Sequence, residues 1–177
     1  MKKIIIIAAA LLLLASCTAN SGKTPEGSVK SSVSVDVTVP PVVTDPSFEG
    51  IMIGECKVNC GSNVPENLPE ADEVSEVPSC AGQGNDTIYK FGGNTEVSVC
   101  TLNGVKVVYD IYIFAEGRTT PEGIGIGSGL DEIKAAYGED YTEFNGEYRY
   151  TRGRVTLSFL LKDGKVTSID YSAKLEQ

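Results

Sequence analysis

The hydrophobic rhythm of the chain changes from segment to segment. Lys2 and Lys3 precede an unbroken apolar run from Ile4 to Leu14, which ends in Leu14-Ala15-Ser16-Cys17. A basic start, an apolar core and a small-residue end make the pattern of a secretory signal. At about 1.5 Å per helical residue the run reaches roughly half of a ~30 Å hydrocarbon layer, so it predicts an export signal over residues 1–17, cut directly before Cys17, and not a membrane span. Residues 18–47 are rich in Ser, Thr, Gly, Pro and Val with no helical period, and they predict a flexible tether about 30 Å across. Within it Val33, Val35, Val37 and Val39 alternate like an edge strand and stop at Pro40-Pro41.

Beyond Phe48 short alternating runs take over, and the C-terminal half is the cleaner. Leu130, Ile133 and Tyr137 fall at i, i+3 and i+7, one apolar stripe of a helix. Ser128 is placed as its N-cap, Asp131 stands three residues on, and Gly138 closes it. Tyr148 and Tyr150, then Val155, Leu157, Phe159 and Leu161, then Val166, Ile169 and Tyr171 predict strands. Asn145-Gly146, Arg152-Gly153 and Asp163-Gly164 stand between them, and Asn-Gly and Asp-Gly suit tight hairpin turns whose central residues need φ > 0.

The preceding segment reads as an earlier copy. Glu49-Gly50-Ile51-Met52-Ile53-Gly54 returns as Glu122-Gly123-Ile124-Gly125-Ile126-Gly127, and Leu102-Asn103-Gly104 matches Lys162-Asp163-Gly164. Pro65, Pro69 and Pro78 break the matching helix, leaving at most one turn near Ser62 to Leu68. The expected fold class is therefore α+β. Two tandem related units, 48–117 and 118–177, would each pack a short helix on an antiparallel meander, with the first unit disulfide-rich.

That last feature rests on the cysteines. Besides Cys17 the chain holds Cys56, Cys60, Cys80 and Cys100, all in the first unit. In an exported protein four cysteines read as two disulfides with three possible pairings. A four-thiolate zinc site is the competing reading, and only Cys56 and Cys60 have knuckle spacing.

Charge and composition narrow the function. The chain carries −9, and loss of Lys2 and Lys3 would take the mature form to about −11. No Lys and Arg cluster offers the counterion exchange that nucleic acid binding needs. With no histidine, the chain lacks the commonest general base and every Ser-His or Cys-His nucleophile. The glycines at 123, 125, 127 and 129 lack the third glycine of a dinucleotide loop. Glu66, Glu70, Asp72, Glu73 and Glu76 lack calcium-loop spacing and read as a solvated acidic stretch or an acidic docking surface. No cofactor, no metal and no catalytic residue is indicated. Tyr109, Tyr112, Tyr148 and Tyr150 are the candidate binding surface, against ordinary cross-strand pairing.

Leu14-Ala15-Ser16-Cys17 resembles the lipobox of bacterial lipoproteins, which implies that Cys17 is lipidated and anchors the chain to the membrane. Gly-Ile-x-Ile-Gly-Ser-x-x-Asp-Glu-Ile-x-x-x-Tyr-Gly, over Gly123 to Gly138, resembles the repeat shared by the β-lactamase-inhibitor-protein-like fold and small lipoproteins of the barrel-assembly machinery. The stretch from Ser79 to Tyr171 is similar to uncharacterised lipoproteins of Gram-positive anaerobes. The resemblance implies a fold and an extracytoplasmic, lipid-anchored location, with another envelope or extracellular protein as partner. The alternatives are an envelope enzyme working through carboxylates and a structural assembly lipoprotein.

Overall fold

The computed structural model describes residues 48–176 apart from Ala81 and Gln83. The predicted leader 1–17 with Cys17, the tether 18–47 and its alternating valines lie outside the described residues. Ten strands and one helix follow: β1 Ile51–Ile53, β2 Cys56–Val58, β3 Glu73–Pro78, β4 Asn85–Phe91, β5 Thr95–Leu102, β6 Val105–Ile113, α1 Leu130–Tyr137, β7 Thr142–Phe144, β8 Glu147–Arg152, β9 Val155–Lys162 and β10 Lys165–Ala173. β3 to β10 form one antiparallel sheet in the order β3-β4-β5-β6-β10-β9-β8-β7, and β1 pairs with β2 as a separate hairpin.

This corrects the expected α+β class: the fold is mostly β. In place of two units with their own sheets, two meanders join edge to edge where Ile169 of β10 lies opposite Ile113 of β6. Side chains from both halves, including Val97, Ile111, Leu157 and Ile169, belong to one hydrophobic core. The first predicted helix is absent. There Gly61 to Val64 run beside the start of β6, with Val108 N donating to Ser62 O and Val64 N to Lys106 O. The two Gly-Ile stretches that read alike also fold apart, since Ile51 and Ile53 sit in a hairpin strand while Gly123 to Gly127 form turns ahead of α1.

The disulfides are corrected as well. All four domain cysteines are free. Alternation and side-chain contacts send them different ways: Cys56 is in the core, Cys100 is buried outside it under the turn at Gly82, and Cys80 is exposed. Cys60 fills the fork between β6 and β10, its thiol 3.2 Å from both Tyr109 O and Tyr171 O. Burial, then the charges of Asp110 and Asp170, push that thiol well up, so it stays protonated and donates.

Local chemistry accounts for what was legible. The helix starts one residue later than expected, at Gly129, whose N–H donates to Glu132 Oε2 at 2.6 Å, while Ser128 Oγ accepts from Gly125 N. Ile133 and Tyr137 are its buried residues, and the Tyr137 ring lies 5.3 Å from Phe159 and 5.5 Å from Tyr150. Asn103, Asn145 and Asp163 all take positive φ before their glycines, as the hairpin turns require.

Candidate functional site

Period-two alternation gives the sheet two unlike faces. One is covered: α1 and the β1, β2 hairpin add Ile133, Tyr137, Ile51, Ile53 and Val58 to the core against it. No helix or strand among the described residues adds a side chain to a core on the other.

That open face is ordered by strand register. Lys90, Glu96, Tyr112, Asp170, Ser158, Arg149 and Thr142 are successive cross-strand partners from β4 to β7. The neighbouring row holds Ser98, Asp110, Ser172 and Thr156. Small hydroxyl residues keep the centre shallow. Beside it a groove of about 440 Å³ is lined by Thr142, Glu147, Arg149, Thr151, Thr156, Ser158, Asp170 and Ser172. Exposed apolar side chains stand on the same face: Tyr112 at 37%, Phe114 at 37%, Leu160 at 42% and Phe144 at 65% exposure. The Tyr112 and Phe114 rings are stacked with centroids 5.7 Å apart.

Asp110 and Asp170 are diagonal neighbours on β6 and β10, Asp110 standing opposite Ser172 and Asp170 opposite Tyr112, and their carboxyls hydrogen-bond. Burial, then the charge of Asp110, pushes the Asp170 carboxyl up to about 8, and burial also raises Asp110. Close carboxyls in a half-buried position cannot both ionise freely, so the pair holds one proton near neutral pH. Asp170 Oδ1 is shielded and has no hydrogen-bond partner among the described residues. A division of labour between general acid and general base needs environments that drive two carboxyls apart. Burial raises both, while their mutual hydrogen bond raises Asp170 and lowers Asp110, so Asp170 is the one that keeps the proton.

The shift has a consequence for stability. Asp170 keeps its proton in the folded state up to about 8, whereas in the unfolded chain it loses it near ~4. The folded form therefore binds more protons between these limits, and the stabilisation present at low pH is lost as pH rises through that window. Asp170→Asn should remove this slope. The melting temperature of the variant relative to the parent should climb from pH 5 to pH 8, and a flat difference would count against the shared proton.

The candidate tyrosines are not brought together. Tyr112 is on the open face. Tyr109 reaches its corner, where its hydroxyl donates to the buried Asp86 at 3.1 Å; burial and that bond push it up to about 12. Tyr150 is buried in the core and donates to Gly138 O at the helix end at 2.9 Å. Tyr148 sits on the covered side, its ring 5.2 Å from Tyr141. Sequence reasoning passed over Phe114, Phe144, Leu160 and the aspartate pair. Only Asp110 and Asp170, each flanked by apolar strand residues, left a period-two signal.

Compared with protein families, with curated proteins and with solved structures, the chain finds no match.

Proposed function

We propose that the protein is a membrane-anchored extracytoplasmic lipoprotein that acts by binding another envelope or extracellular protein through the open face of its sheet. The observation that carries this reading is the contrast between the faces: one is closed by the helix and hairpin, and the other presents Tyr112, Phe114, Leu160 and Phe144 to solvent. Exposed apolar side chains gathered on one face of a folded domain are a feature of contact surfaces. The leader pattern and Cys17 support the address.

A pull-down from the producing cell tests the activity, with Phe144→Asp plus Leu160→Asp as the control. The parent should retain a protein that the double variant loses at least tenfold. Recovery of sugars alone, or equal recovery by both, would overturn the reading. For the anchor, Cys17→Ser should move the chain from the membrane fraction to the soluble fraction, and unchanged retention would remove the lipid from the account.

A further inference from the structure

The charges of the open face do not balance. Lys90 is already shared between Glu73 at 3.4 Å and Glu96 at 3.6 Å. Arg149 is paired with Glu147 at 2.5 Å. Asp110 and Asp170 have no ion pair with a cation among the described residues. They are nonetheless half-buried at the middle of the face, a place where an uncompensated charge is unfavourable. Tyr112, directly opposite Asp170, stacks on Phe114, so an apolar platform adjoins the acidic centre.

We propose that the partner is a protein segment that lays apolar side chains on the Tyr112 and Phe114 platform and seats one lysine or arginine over Asp110 and Asp170. This rests on the binding reading above and specifies the chemistry of the partner at that same face. The incoming cation replaces the proton that the pair otherwise shares, so docking releases that proton and tightens with rising pH. The charged and titratable groups around the pair are Glu96 on β5, Tyr109 on β6, Glu147 and Arg149 on β8, and Cys60 in the fork beneath. Glu96 and Glu147 keep their own cations, and the Cys60 thiol stays neutral, which leaves the aspartates as the groups that answer to the partner.

The probe is a fluorescein-labelled peptide with one lysine between two phenylalanines, titrated into the full chain in detergent and followed by anisotropy. Twins carrying acetyl-lysine or glutamate are run beside it. The lysine peptide should bind at least tenfold more tightly than either twin. That advantage should grow from pH 6 to pH 9, and it should vanish in Asp110→Asn plus Asp170→Asn, a pair of substitutions close in shape that keep the fold. Equal binding of the acetylated twin, or an undiminished advantage in the double variant, would overturn the proposal. The two readings fail separately. A captured cellular protein lost by Phe144→Asp plus Leu160→Asp but unmoved by the asparagine variants would leave the binding face standing and remove the cation.

Discussion

Phe159→Ala should destabilise the protein by about 3 to 5 kcal/mol, whereas Leu160→Ala, one residue along the same strand, should cost no more than about 1 kcal/mol. Phe159 is 0% exposed and touches the rings of Tyr137 and Tyr150 at 5.3 and 6.2 Å, so its ring joins the helix to the sheet. Ile169 and Tyr148 stand opposite it on the neighbouring strands. Removing it leaves a cavity that the surrounding strands, hydrogen-bonded on both sides, cannot close. Leu160 points the other way and is 42% exposed. Truncating it removes a side chain already partly in water and opens no enclosed cavity. Urea denaturation of the two variants measures both numbers. Similar losses at 159 and 160 would mean that both faces are covered and that the open face does not exist.

That pair of outcomes also shows where the sequence was informative. In β9 the alternation Val155, Leu157, Phe159 reports a covered face and a wet one at once. The helix stripe and the Asn-Gly and Asp-Gly turns were legible for the same reason, because each is decided by neighbours in sequence. β3 was not. Glu73–Pro78 is an edge strand with nearly every side chain in water, so Val74 and Val77, three apart within an acidic stretch, carry no period-two signature. The charges that made it look like a loop suit an edge, where they discourage pairing with another chain.

The disulfide expectation failed on a different ground. Cysteine count and compartment say which bonds are chemically permitted, but pairing needs Cβ atoms within about 4.5 Å. Here strand alternation puts Cys56 in the core and Cys100 outside it. The single sheet was missed because each meander is complete in sequence, while its outer strand, β6 or β10, finds its second partner only across the join. Local pattern identifies strands. It does not say how two meanders meet.

The glycines of the matched motifs make the point testable. Gly50→Ala should cost about 3 kcal/mol, the upper part of the range for forcing atoms into a packed site. A Cβ there would stand 2.0 Å from Val58 O and 2.5 Å from Asn59 Oδ1, and the Gly50 N–H donates to that same Asn59 oxygen at 2.9 Å. The obstruction at Val58 is backbone, so the β1, β2 hairpin must move away and take Ile51 and Ile53 out of the core. Its sequence counterpart Gly123 is open on all sides but holds φ +90°. Gly123→Ala should therefore cost only the backbone strain, about 1 to 2 kcal/mol. Urea midpoints and near-ultraviolet circular dichroism distinguish the cases, since a displaced hairpin also loosens aromatic packing around Phe48, whose ring meets Tyr137 and Tyr171. The lysine peptide should still bind the folded fraction of Gly50→Ala, because the hairpin closes the covered face and leaves Tyr112, Asp110 and Asp170 where they are. Equal costs at 50 and 123 would mean that the two motifs share one conformation, and the separate hairpin would then be wrong.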